Sequence, residues 1–269
     1  MAEWDGRGLP PVAKARVDRY SSSGLRTSLL SVPGAVGAEV AGFTPVGEVM
    51  GCIVERIGFY PNVGMSFGMS FGEQLRPYRD ALRRGYATAL NRLRLEAKGI
   101  GADGVVGVSL SVTDVGENMR EFVALGSAVR AETRQRPAKL FTTELAGQDV
   151  GKLMQAGWVP AGIAIGIEAV ATYNYYAQQQ TSVWAGNTEV DDYTHLVTAA
   201  RTAARKEFHR QVAASGADGA IVSRMTLAMW PLGEVAVMSV ATVFGTAISQ
   251  FHKGQTAPTS ALTMLPLHK

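Results

Sequence analysis

Apolar residues follow a helical spacing in two long stretches, one in each half of the sequence. Steps of three and four residues predict an amphipathic helix in each stretch, with one face wide enough to cover a sheet. The second helix is the counterpart of the first. The apolar positions are Leu82, Tyr86, Leu90, Leu93, Ala97 and Ile100 in the first helix, and Val197, Ala200, Ala204, Phe208 and Val212 in the second.

Strand patterns precede and follow each predicted helix. One strand is predicted before the helix, over residues 46–54 and again over 163–170. Alternating apolar residues after the helix predict a strand with one buried face, and residues 121–129 and 235–247 supply a last strand. We therefore predict an α+β fold of two tandem β-α-β-β domains, each a small antiparallel sheet with one long helix. The alternating residues are Val106, Val108, Leu110 and Val112, and then Ile221, Met225, Leu227 and Met229, a series that Ser223 interrupts.

The same tetrapeptide links helix to strand in both halves. Residues 101–104 and 216–219 both read Gly-Ala-Asp-Gly, 115 positions apart, and a short helix is predicted near the start of each half. The first glycine stands where a helix commonly ends in the left-handed conformation. An aspartate in such a turn usually hydrogen-bonds its own backbone, so we predict a structural role here in preference to acid or base catalysis. These turn residues are Gly101, Asp103, Gly216 and Asp218.

The two copies are flanked and joined by polar segments. We predict a flexible leader over residues 1–26, a first domain over 27–130, a charged linker over 131–139, a second, divergent domain over 140–251 and a flexible tail over 252–269. The leader has no apolar run of the secretory type, so we expect a cytoplasmic protein. The β-branched residues of the uncharged stretch 235–251 favour a buried strand over a membrane helix.

Three segments of the first half carry a family resemblance. They are Pro-Val-Gly-Glu-Val-Met-Gly at 45–51, Gly-Ala-Asp-Gly-Val-Val-Gly-Val at 101–108 and Phe-Val-Ala-Leu-Gly-Ser-Ala-Val at 122–129. This half resembles the YbjQ-like family, also called UPF0145 or the "putative heavy-metal-binding" domain family. The resemblance implies a dodecin-like subunit that forms rings, commonly pentamers, through strands at its edges. The membership of the second half rests mainly on the internal repeat.

Composition narrows the classes of function. Hydrophobic residues make up 46% of the chain and charged residues 18%, which fits a globular protein that self-associates. A net charge of +3 is too small to indicate nucleic-acid binding by itself. The sequence contains no nucleophile elbow, phosphate-binding loop, His-Glu-x-x-His or Cys-x-x-Cys motif. We therefore predict a non-enzymatic protein that requires no cofactor.

Apolar side chains in two loops are candidates for contacts between subunits. The glycine-punctuated loop over residues 64–72 carries methionine and phenylalanine, and the corresponding loop of the second half carries a tryptophan. We expect these side chains to be buried against another copy of the chain, in a homo-oligomer of five chains or a multiple of five. The partner protein, if there is one, is unknown, and we expect neither membrane nor nucleic-acid partners. The candidates are Met65, Phe67, Met69, Phe71 and Trp184.

Two other functions remain open. A heavy-metal or small-ligand module would use soft donors, for which the chain offers Cys52, Met65 and Met69, so a bound transition metal is possible. A nucleic-acid or polyphosphate binder would use the basic face of the first long helix, although such arginines also suit a solvated helix exterior. The anion-binding candidates are Arg76, Arg79, Arg83 and Arg84.

Overall fold

The computed structural model of the chain describes residues 4, 8–23, 27–57, 71–133, 136–173, 189–232 and 236–251. Both halves follow the order short helix, strand, long helix, strand, strand, which confirms the predicted α+β fold of tandem β-α-β-β units. The elements are α1 (Pro11–Ser23), α2 (Val32–Val40), β1 (Phe43–Arg56), α3 (Phe71–Gly99), β2 (Gly104–Gly116), β3 (Met119–Ala131), β4 (Phe141–Thr142), α4 (Gly147–Gln155), β5 (Trp158–Tyr173), α5 (Asp191–Ala214), β6 (Gly219–Leu232) and β7 (Ala236–Gln250).

The strands form two sheets with matching registers. Sheet A has the order β1-β3-β2-β4, in which only the β2-β4 pairing is parallel, and sheet B has the antiparallel order β5-β7-β6. A β-bulge interrupts the first strand of each sheet at the same place, between Pro45 and Gly47 and between Pro160 and Gly162. The strands extend beyond the predicted bounds because backbone pairing continues past the end of the apolar alternation.

Helix α3 lies between the two sheets, although the sequence predicts contact with one. The ring of Tyr86 packs edge-on against Phe122 of sheet A and Phe244 of sheet B, with centroid distances of 5.1 Å and 5.4 Å. Helix α5 covers the opposite face of sheet B through Ala204 and Phe208. The layers are therefore sheet A, α3, sheet B and α5.

Residues 11–23 form helix α1, which the polar composition of this segment did not predict. Ala13 and Val17 are buried, and the Arg16 guanidinium donates two hydrogen bonds to the Glu96 carboxylate, with N–O distances of 2.7 Å and 3.0 Å. This contact places the helix beside α3. The structure thus differs from the prediction of a flexible leader over residues 1–26, of which thirteen form α1. Residues 252–269 lie outside the described residues.

Strand β6 is less buried than its alternating pattern predicts. Met225 is 37% exposed, because β6 is the edge of sheet B. The uncharged stretch after β6 forms strand β7 over Ala236–Gln250, in agreement with the strand interpretation. Within the described ranges, no helix has the length and hydropathy needed to cross a membrane.

The repeated turns have equivalent geometry. Gly101 has a φ of +72° and Gly216 a φ of +74°, values in the left-handed region that glycine adopts freely. The Asp103 carboxylate accepts a hydrogen bond from the Ala131 amide at 2.8 Å, and Asp218 accepts one from Gln250 at 2.9 Å. Both aspartates therefore tie their turn to the end of the last strand, which the β-hairpin brings alongside, instead of bonding the local backbone.

We expect Gly216→Ala to lower the free energy of unfolding by about 1 kcal/mol, because a Cβ is disfavoured at this positive φ. A methyl group here would meet no atom within 4 Å, so the loss would report the backbone conformation alone. Urea denaturation at a fixed chain concentration measures it. The control is Gly219→Ala, whose methyl would make only ordinary contacts with Ile248; equal stabilities of the two variants would contradict the assignment.

Candidate assembly interface

A segment of the second repeat completes the sheet of the first. Strand β4 pairs with β2 in register, with Phe141 beside Gly104 and Thr142 beside Val105. The Thr143 amide donates to the Val105 carbonyl at 2.9 Å, and the Gly107 amide donates to Leu145 at 2.9 Å. Residues 140–146, which are predicted to belong to the second domain, close the edge of sheet A.

The same segment is also fixed to its own repeat. The hydroxyls of Thr143 and Thr246 lie 2.9 Å apart. The Thr142 hydroxyl accepts hydrogen bonds from Arg94 of α3 at 3.1 Å and from the Ile163 amide of β5 at 3.3 Å. The segment therefore bridges the two repeats, bonded to sheet A by its backbone and to sheet B mainly by its hydroxyls.

Glycines allow the two short helices to pack closely. A Cβ built on Gly147 of α4 would overlap the Gly34 carbonyl of α2, and one built on Gly151 would lie 2.8 Å from the Gly37 oxygen. Neither position can carry a side chain without a shift of backbone, because real Cβ atoms do not approach so closely. This contact is the second part of the interface between the repeats.

Ion pairs at α3 form the third part. The Arg83 guanidinium donates to the Glu168 carboxylate at 2.7 Å and to the Ile167 carbonyl at 2.8 Å. Arg79 also approaches Glu168, with an N–O distance of 3.4 Å. Of the predicted anion-binding arginines, these two are therefore held by a carboxylate of the other repeat.

The other two predicted anion-binding residues lie apart from this pair. Arg84 is exposed and contacts Glu55 at 3.0 Å, and Arg76 is exposed on the same helix. These internal ion pairs compete with an external anion for Arg79, Arg83 and Arg84. Anion binding by the helix stays a prediction.

A small cleft lies between α3 and β5, on the boundary of the repeats. Its volume is about 180 Å³, and its lining includes Arg83, Tyr86, Arg94, Ile165 and Gln211. Burial lowers the pKa of Arg94. Because pockets for drug-sized ligands usually measure about 300–1,000 Å³, this cleft is small for such a ligand.

Glu207 of α5 joins the charged groups at this boundary. Its carboxylate accepts hydrogen bonds from Arg210 at 2.7 Å and 2.8 Å and from the Gln211 side chain at 3.1 Å, and it lies 3.8 Å from Arg83. The Arg210 hydrogen bond is the main cause that lowers the pKa of Glu207 to about 2. The ionised carboxylate is therefore the form that stabilises the fold.

We expect Glu207→Gln to lower stability at pH 7 and to have progressively less effect as the pH falls. A carboxyl group whose pKa is depressed on folding stabilises the protein above its unfolded pKa of about 4.5, and this stabilisation is lost as the pH falls towards about 2. Unfolding free energies of both proteins between pH 7 and pH 2.5 test this expectation. A difference between them that stays constant over the whole range would contradict it.

One pair of equivalent polar residues in the cores of the two repeats was not predicted from the sequence. Glu96 accepts a hydrogen bond from the Met50 amide at 3.1 Å, and Gln211, 115 positions later, accepts one from the Ile165 amide at 3.0 Å. The constant spacing between the repeats is the signal that could have found this pair. One repeat thus uses a charged group and the other a neutral one for the same backbone contact.

Most predicted contact residues fall where the structure gives no description. Phe71 is the first residue of α3, whereas Met65, Phe67, Met69 and Trp184 lie outside the described residues. Cys52 is a partly exposed free thiol on β1. Among the residues that the structure describes, no three His, Cys, Asp or Glu side chains come together as a metal site would require, and metal binding stays a prediction.

Comparison with known proteins gives a consistent result. A family model described as "Putative heavy-metal-binding" matches residues 32–132. Encapsulin nanocompartment protein Rv1762c of Mycobacterium tuberculosis is 30% identical over 267 residues, which cover 95% of this chain and 97% of that protein. A UPF0145 protein of Methanocella arvoryzae is 35% identical over 101 residues, which cover 38% of this chain and 80% of the relative. With the tandem β-α-β-β fold, these matches show that the chain belongs to the YbjQ-like (UPF0145) family.

Proposed function

We propose that this chain is a non-catalytic subunit that assembles with copies of itself into a ring or shell. The observation that carries the proposal is that an edge strand is covered in sheet A, whereas, within the described part of the chain, the equivalent edge strand of sheet B is not. The β2 edge of sheet A is closed by β4, whereas sheet B ends at β6, to which the described residues add no further strand. Exposed sheet edges favour pairing with another chain, and a second copy is the simplest source of that strand.

Exposed apolar residues on sheet A also support assembly. Val54 of β1 and Met119 of β3 lie two register positions apart at one end of sheet A and are 55% and 41% exposed. Their counterparts in sheet B, Ala169 and Met238, are buried under α3 and its neighbours. Sheet A therefore has an apolar surface that a further layer would cover, and burying such a surface favours association.

A relative whose match extends over nearly the whole chain supports the same proposal. That mycobacterial protein is named an encapsulin nanocompartment protein, and we extend a shell or oligomer role from it to this chain. The family resemblance supports five chains, or a multiple of five, as the size of the assembly. We assign no catalytic role, and we propose a cytoplasmic location.

The mass of the native protein in solution tests this function. We expect light scattering to give a mass near five or ten times 28.6 kDa, without a transition metal in stoichiometric amount in the same peak. A monomer would refute the proposal. An assembly with one or more metal ions per chain would instead support the heavy-metal function and direct attention to Cys52.

A further inference from the structure

We infer that the contact between the two repeats of one chain is repeated between neighbouring chains. In this arrangement, residues 27–30 of one chain extend sheet B of the next chain beside β6, and α2 of the first chain packs on α4 of the second. The repeats then alternate head to tail around the assembly. This inference rests on the proposed self-assembly and specifies the surfaces that form it.

The free edge of β6 corresponds to the edge of β2 that β4 occupies. Gly219 and Ala220 of β6 stand 115 positions after Gly104 and Val105 of β2. In each sheet these residues pair with equivalent positions of the neighbouring strand, which is β3 in sheet A and β7 in sheet B. Val105 is fully buried beside β4, whereas Ala220 is exposed. Sheet B therefore presents an acceptor edge of the same kind, without its strand.

Residues 27–30 correspond to the segment that fills this edge in sheet A. The Leu29 amide donates to the Ser127 hydroxyl at 2.8 Å, as the Glu144 amide donates to Thr246 at 3.3 Å. The segment is thus held on its own sheet in the same way as residues 142–145. Leu29 is exposed, which leaves the segment open on the side that would meet another chain.

The short helices differ in the same way, because a face that is buried on α4 is exposed at the equivalent positions of α2. The face of α4 that packs on α2 contains Gly147 and Gly151, and these positions correspond to Val32 and Val36 of α2. Both valines are exposed, by 80% and 53%. Two exposed valines at a spacing of four residues form an apolar helix face, and the repeat relation places this face against α4 of the next chain.

The exposed face of sheet A completes the arrangement. Helix α3 buries Ala169 and Met238 of sheet B, so the equivalent cover for Val54 and Met119 is helix α5 of the neighbouring chain. All three contacts place the second repeat of one chain beside the first repeat of another. Such a contact is heterologous, and it closes into a ring when the rotation between chains permits. Because valines replace glycines at Val32 and Val36, we expect wider spacing of these short helices between chains than within one.

Cysteine cross-linking of full-length chains tests the register, with Cys52→Ser as the parent. Thr27 and Ala220 correspond to Thr142 and Val105, which pair directly between β4 and β2; adjacent strands lie within the Cα range of a disulfide. We expect a Thr27→Cys chain co-expressed with an Ala220→Cys chain to give covalent dimers in up to about half of the oxidised material, because in a random mixture half of the Thr27→Cys chains face an Ala220→Cys neighbour. Chains carrying both substitutions should form a ladder of higher multiples on a non-reducing denaturing gel.

The controls separate this inference from the proposed function. Thr27→Cys co-expressed with Ala228→Cys, an exposed position farther along β6, should give at least tenfold fewer dimers, and neither single variant should cross-link alone. One contrary result is an oligomeric parent protein whose Thr27→Cys and Ala220→Cys chains fail to cross-link, and another is a single variant that cross-links to itself. Either result would overturn the head-to-tail arrangement and leave self-assembly intact. A monomeric parent would overturn both.

Discussion

We expect Arg16→Ala to lower the free energy of unfolding by about 3 kcal/mol, the lower end of the usual cost of removing one partner from a buried ion pair, because the Arg16 side chain is 21% exposed. The Glu96 side chain has no exposed surface. It receives two hydrogen bonds from Arg16 and a third from the Met50 amide. Without the guanidinium, the carboxylate would stay buried with a single hydrogen-bond donor, the Met50 amide. Urea denaturation at a fixed chain concentration measures the loss.

The repeat provides the control for this prediction. In the second repeat, Gln211 accepts the equivalent backbone hydrogen bond without a charge. Glu96→Gln in the Arg16→Ala background should therefore restore most of the lost stability, because it removes the unpaired buried charge. Arg19→Ala, an exposed substitution on the same helix, should change the stability by less than about 0.5 kcal/mol. A double variant as unstable as Arg16→Ala would show that the loss comes from α1 packing.

Much of the fold could be predicted because its signals are local and occur twice. The apolar stripe of α3 and the alternating apolar residues of β2 indicate which side chains are buried against the nearest layer of the same repeat. The glycines at 101 and 216 record a backbone conformation that few other residues adopt. Each of these signals depends on residues close in sequence, so a single sequence is enough to identify the elements.

The contacts between repeats could not be predicted in the same way. The sequence shows that Tyr86 is apolar and lies on the α3 stripe, but it does not show that the ring fits between Phe122 and Phe244. Helix α1 was missed because its stability depends on Arg16 reaching a carboxylate 80 residues away. The pairing of residues 140–146 with sheet A also has no local sequence signal. Phe141 and Thr142 would suit a strand in either sheet.

We expect Gly166→Ala to lower the free energy of unfolding by about 3 kcal/mol, at the upper end of the usual cost of overpacking. A Cβ at Gly166 of β5 would overlap the Ala204 carbonyl of α5 and lie 2.7 Å from the Phe208 amide. Both obstacles are backbone atoms of one helix, so the strain cannot be relieved by a change of rotamer. The helix would have to move away from sheet B and lose part of the packing of Phe208.

Gly162→Ala on the same strand is the matched control for Gly166→Ala. Its Cβ would lie 4.0 Å from the nearest atoms, and its φ is not in the left-handed region, so we expect a change of less than about 0.5 kcal/mol. Urea denaturation of both variants at the same concentration gives the comparison. Equal losses would show that glycine is needed in β5 for strand conformation. A loss of stability confined to Gly166→Ala would show that the glycine sets the distance between helix and sheet. Gly51 faces the Ala89 carbonyl of α3 in the first repeat, so Gly51→Ala should then cause a similar loss.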